Sequence, residues 1–208
     1  TFLYHSWLDI NKSNPTLWIQ HEKNSEVTWE CVVSKVNQSI QTAGRSDRLR
    51  LLPAGGALVY LVEQVIAGNV TGISGSTEAR MNVIFSDNVH MTQLGMYYLS
   101  LVVYASTYGK SPVGTPPATG SGVSQAMATQ LQNIAWTYVN AYYNQSTNTV
   151  ERSMSSCRSF VSANSCHTYY TLKNQTQNIS GCSNFYGNST DSGNPFRDYP
   201  FTPFPPQW

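Results

Sequence analysis

Phe85-Ser86-Asp87-Asn88-Val89-His90-Met91-Thr92 carries the residue types of acid–base chemistry. Asp87 and His90 stand three apart, between an apolar run that ends at Phe85 and a helical pattern that opens at Thr92. At that spacing a carboxylate can accept the imidazole Nδ1 hydrogen, fix the tautomer and stabilise the imidazolium. Nε2 is then free to act as a general base toward a hydroxyl nucleophile, help that contributes roughly 10²–10⁴-fold. The same residues also fit a plainer role, in which Asp87 caps the turn and His90 is an ordinary polar loop residue.

The other chemically capable residues form no constellation. His5, His21 and His167 lack metal-ligand spacing, and no cofactor or metal is implied. Gly55-Gly56 before a helix could bind an anion, but it lacks the Lys of a phosphate loop and fits a tight turn better. Ser74, in Gly72-Ile73-Ser74-Gly75-Ser76, is not in a Gly-x-Ser-x-Gly elbow. Trp7, Trp18, Trp29, Trp136 and Trp208 could stack on sugar rings, although packing is the commoner use of such side chains.

The elements that would position the Asp-x-x-His loop follow from periodicity and punctuation. Thr1–Asp9 reads as extended. Leu17 to Thr42 has apolar positions recurring at three and four and stops at Gly44. Arg48 to Leu52 alternates and ends at Pro53, which predicts a strand. Ala57–Ala67 predicts an apolar helix, and Met81–Phe85 a short strand or extended approach. Thr92 caps a helix that ends near Gly109, and Ser121 or Ser124 caps a last one running to about Tyr143. This alternation predicts α/β layers around a parallel sheet with too few strands to be complete. Composition then shifts: 145–192 is rich in Ser, Asn and Thr, and 196–208 in Pro and aromatics. The expected organisation is a domain over 1–143 and an irregular tail over 144–208 tied down by disulfides.

Composition narrows the function classes. Charged residues make up 11% of the 208, against roughly 25% in an average soluble domain. The net charge of +1 leaves no basic stripe for nucleic acid and no polybasic membrane anchor. No apolar run approaches the ~18 residues of a membrane span. The first residue is Thr1 and no leader precedes it, so the expectation is a processed N-terminus or an origin inside a longer precursor.

Four cysteines, Cys31, Cys157, Cys166 and Cys182, allow two disulfides. Proximity suggests Cys157 with Cys166, leaving Cys31 to reach Cys182. Seven Asn-x-Ser/Thr acceptors occur, at Asn11, Asn37, Asn69, Asn144, Asn174, Asn178 and Asn188. Low charge, paired cysteines and sequons together point to a secreted glycoprotein.

Pro53-Ala54-Gly55-Gly56-Ala57, the Asp87-x-x-His90-x-Thr92-x-x-Gly95-x-Tyr97 core and the helix running through Val103-Tyr104-Ala105 to Gly109 resemble the C-terminal half of the SGNH (GDSL-type) hydrolases, over about Thr1 to Tyr143. The resemblance implies a three-layer, flavodoxin-like α/β fold, incomplete in this chain alone. It makes His90 the catalytic base and Asp87 its orienter, acting on an ester carried by a glycan or a lipid. The family's Gly-Asp-Ser block, and the Gly and Asn that complete its oxyanion hole, have no counterpart here. Two functions follow. In one, a separate N-terminal chain of the same precursor supplies the serine and oxyanion hole of a secreted esterase. In the other, the chain is a non-catalytic, glycosylated extracellular protein that self-associates through its Pro/aromatic tail, in the limit into filaments.

Overall fold

The computed structural model describes residues 1–117, 119–144 and 151–198. In chain order they form β1 (Phe2–Tyr4), α1 (Thr16–Thr42), β2 (Arg50–Leu52), α2 (Ala54–Ile66), α3 (Thr77–Ile84), α4 (Gln93–Tyr108), α5 (Gln125–Asn144), α6 (Met154–Phe160), α7 (Cys166–Leu172) and α8 (Ile179–Gly187). A π-helical turn, Val161–Ser165, joins α6 to α7, and a single 3₁₀ turn, Thr176–Asn178, precedes α8. The chain divides into two compact units. One contains Thr1–Leu3, Asn24–Leu51 and the described residues from 151 to 198. The other contains Tyr4–Lys23 and the described residues from Leu52 to 144.

The three-layer flavodoxin-like α/β architecture is overturned. The described residues are mostly helical, and their one sheet is a parallel pair of three-residue strands, β1 and β2. The expected strand at Met81–Phe85 is instead the end of α3. Ser76 starts that helix by accepting a hydrogen bond from the Ala79 amide, with acidic Glu78 in the first turn. Only Phe85 keeps an extended role, in an isolated antiparallel bridge to Met91. A five-residue apolar run cannot by itself distinguish a buried helix end from a strand.

In the unit that carries the Asp-x-x-His loop, α2 packs on α4 and α5, and α3 packs on α2 and α4. Leu58, Leu61, Val62, Ile84, Tyr98, Leu131 and Ala135 are buried at this centre. Two of the polar side chains drawn inside, Tyr98 and Gln132, are well partnered. Tyr98 donates to the Ala57 carbonyl at 2.8 Å. Fully buried Gln132 accepts from the Gly114 amide at 3.0 Å and donates to Tyr97 Oη at 2.9 Å and the Thr115 carbonyl at 2.7 Å. Gly109 ends α4 in the left-handed conformation (φ 62°), its amide on the Ala105 carbonyl.

In the other unit the expected irregular tail is helical from Met154 to Gly187, apart from a short connection before the 3₁₀ turn. The disulfides join Cys31 to Cys157 and Cys166 to Cys182, not the pairing expected from proximity. Cys157 and Cys166 lie nine residues apart on one continuous helical run. At ~1.5 Å per residue that is about 13 Å, beyond disulfide reach. The half-cystines Cys31, Cys157 and Cys166 form a buried cluster with Met154, Val161 and Phe196. Arg158 closes it, donating to the Phe196 carbonyl at 2.7 Å and gripping both Asp198 oxygens at 2.7 and 3.1 Å. The Pro/aromatic stretch over 196–208, expected to mediate self-association, is described only as far as Asp198; 199–208 lies outside the described residues. No helix among the described residues is long and apolar enough to cross a membrane. The two disulfides are compatible with an extracellular location.

Candidate proton-relay site

The site is a tight loop between α3 and α4. Its base is the Phe85–Met91 bridge, where the Ser86 amide donates to the His90 carbonyl at 2.9 Å. Its far wall is the start of α4. Thr92 caps that helix, accepting from the Gly95 amide at 3.2 Å, while its own hydroxyl donates to the Val83 carbonyl at 2.6 Å. Gly95 is required by close approach. A Cβ built there would lie 2.4 Å from the Ile84 carbonyl oxygen and 2.9 Å from Met91 Sδ.

Within the loop Asp87 organises everything. Oδ1 accepts the backbone N–H groups of Val89 and His90, both at 2.7 Å. Oδ2 lies 2.6 Å from His90 Nδ1. The amides of His90 and Val89 and the imidazole hold the Asp87 carboxyl well below the usual carboxylate range. An ionised Asp87 can only accept, so Nδ1–H is the donor in this bond and Nε2 is left as the basic nitrogen. The imidazole is open to solvent: side-chain exposure is 78% for His90 and 58% for Asp87.

The segment after β1 braces the loop from outside. Trp7 Nε1 donates to the Val89 carbonyl at 2.9 Å, and the Ile10 amide to the Asn88 carbonyl at 2.8 Å. That segment is held by buried Glu22, which accepts the Leu8 amide at 2.8 Å, and by buried Trp18, which donates to the Leu8 carbonyl at 2.8 Å. His5 is buried with its Nε2 at 3.6 Å from Glu22 Oε2. Sequence reasoning left Glu22 and Trp7 out of the site. Trp7 shows no spacing signal, because its partner is a backbone carbonyl 82 residues away.

The structure brings Asp87 and His90 together and leaves the other candidates apart in role. Ser86 Oγ is engaged with the His90 carbonyl at 3.1 Å. No group of three or more potential metal ligands occurs among the described residues. Asn11, Asn69, Asn144, Asn174, Asn178 and Asn188 are exposed, whereas Asn37 is 7% exposed. Comparison with protein-family models, with curated proteins and with solved structures finds no match to this chain.

Proposed function

We propose that this chain supplies the proton relay of a secreted serine-type ester hydrolase of the SGNH kind, with the attacking serine and the oxyanion donors carried by a separate polypeptide. The observation that carries the reading is the 2.6 Å bond between Asp87 Oδ2 and His90 Nδ1, made by a carboxylate whose other oxygen is fixed by two amides. Such a carboxylate sets the imidazole tautomer and steadies the imidazolium. The exposure of His90 leaves Nε2 accessible to an incoming hydroxyl.

In the reaction, the partner's serine Oγ attacks the ester carbonyl as Nε2 takes its proton. The imidazolium, facing Asp87, then protonates the departing alkoxide. Water repeats the sequence on the acyl-enzyme, again with Nε2 as base. An acetylated glycan or a lipid ester fits this chemistry.

A fluorophosphonate probe applied to material purified through this chain from its native source tests the proposal. The expected result is a labelled serine on a co-purifying polypeptide, with labelling lost in His90→Ala and reduced by roughly 10²–10⁴-fold in Asp87→Asn. Absence of any labelled polypeptide, or labelling indifferent to His90→Ala, overturns it and leaves the non-catalytic extracellular role.

A further inference from the structure

The seven sequons, four ending in Ser and three in Thr, share one pattern in sequence and are unequal in structure. We infer that Asn11 and Asn188 are the principal N-glycan acceptors of the folded chain and that Asn37 carries no glycan. This assignment is independent of the esterase reading.

Asn37 has neither room nor a free amide. It is 7% exposed, its Nδ2 donates to the Leu49 carbonyl at 3.0 Å, and its Oδ1 accepts the Leu49 amide at 2.8 Å. This two-way pairing fixes the approach to β2, and a sugar on Nδ2 would displace the Leu49 carbonyl and expose a buried pair.

Asn11 and Asn188 show the opposite arrangement. Both are exposed. Ser13 Oγ donates to Asn11 Oδ1 at 2.8 Å, joined by the Ser13 amide at 3.2 Å and the Asn14 amide at 3.2 Å. Thr190 Oγ1 donates to Asn188 Oδ1 at 2.9 Å, joined by the Thr190 amide at 3.0 Å. In each, the hydroxyl that defines the sequon already rests on the acceptor's amide oxygen. Donors there stabilise the negative charge that builds on Oδ1 as Nδ2 gives up a proton. In the transfer, Nδ2 attacks C1 of a sugar on a lipid-linked pyrophosphate donor. The N–C1 bond forms, the C1–O bond breaks with its electron pair leaving on the pyrophosphate, and one Nδ2 proton passes to the transferase's base.

The remaining sequons lack one part of this arrangement. Asn69 gives its Nδ2 to Gln64 Oε1 at 2.9 Å. Asn174 and Asn178 are exposed, but among the described residues neither receives a bond from the hydroxyl of Thr176 or Ser180. The Asn144 sequon reaches into 145–146, outside the described residues.

The test is secretion of the full chain from a eukaryotic host, followed by enzymatic glycan release in heavy-oxygen water and peptide mass mapping. Each former glycan site then reads as a heavy aspartate. Expected are occupied Asn11 and Asn188, unmodified Asn37, and occupancy at Asn69 several-fold lower than at either acceptor. Ser13→Ala and Thr190→Ala each remove one glycan and leave the circular dichroism spectrum unchanged. A glycan on Asn37 in folded secreted protein overturns the inference, as does secreted protein with Asn11 and Asn188 bare.

Discussion

Gly95→Ala is the sharpest perturbation of the loop that holds Asp87 and His90. Its new methyl group would sit 2.4 Å from the Ile84 carbonyl oxygen. Favourable packing of non-bonded heavy atoms needs roughly 3.5–4.0 Å, so the backbone must yield by about 1 Å. The Ile84 carbonyl cannot move alone, because it accepts the Thr92 amide at 2.9 Å and the Thr92 hydroxyl at 3.2 Å. Overpacking of this kind costs about 1–3 kcal/mol, and a disturbed N-cap adds about 1 kcal/mol. The better helix propensity of alanine returns about 0.5–1 kcal/mol. The net expectation is a loss of about 1–3.5 kcal/mol, or roughly 2–14 °C in Tm for a chain of this size. Urea unfolding followed by tryptophan fluorescence measures the loss. The amide resonances of Val89 and His90, both donors to Asp87, report whether the loop shifts with it. Gly181→Ala in α8 is the control: no atom lies within 4 Å of its Cβ, and it should stabilise by about 0.5–1 kcal/mol. Parent-like stability in Gly95→Ala, with unmoved amide resonances, would refute the close-approach argument.

Other expectations rest on separate features. The Asp87 carboxyl is depressed in the folded state, so its contribution is fully present above the ordinary carboxylate range, roughly 3.9, and is lost only as pH falls through the lower folded value. The Asp87 carboxyl carbon resonance should therefore stay unchanged as pH is lowered through that range, and a midpoint there would contradict the hydrogen bonding described. Gln132→Leu strands the Gly114 amide and the Thr115 carbonyl, and should cost about 2–4 kcal/mol with faster hydrogen exchange at Gly114. Removing Cys31–Cys157, with its separation of 126 residues, should cost about 5 kcal/mol in the chain-entropy model, against about 3 kcal/mol for Cys166–Cys182 with 16. Denaturation of the two double Cys→Ser variants checks that order.

What was legible in the sequence was mostly local. The Thr92 cap, the Gly109 stop and the α1 periodicity are signals spanning a few residues, and each helix lies where its signal predicts. The Asp87–His90 contact was legible for the same reason, since three residues in a turn leave few geometries. Met81–Phe85 misled because its apolar run is shorter than either period needs. The Ser/Asn-rich stretch after Met154 misled because low helix propensity was weighed without the cross-links and the Arg158 clamp that hold its helices. Cystine pairing, the Asn37–Leu49 lock and the Trp7 brace depend on partners that no spacing rule identifies.

The bond between Cys31 and Cys157 makes residues 31 to 157 a covalent ring, so the exposed loop ahead of α5 is a place where the backbone can be cut without the molecule coming apart. A protease nick near Gly120 would leave both fragments joined, visible on a gel only after reductant is added. Any processing enzyme acting there would change loop freedom while the two fragments still travelled as one particle.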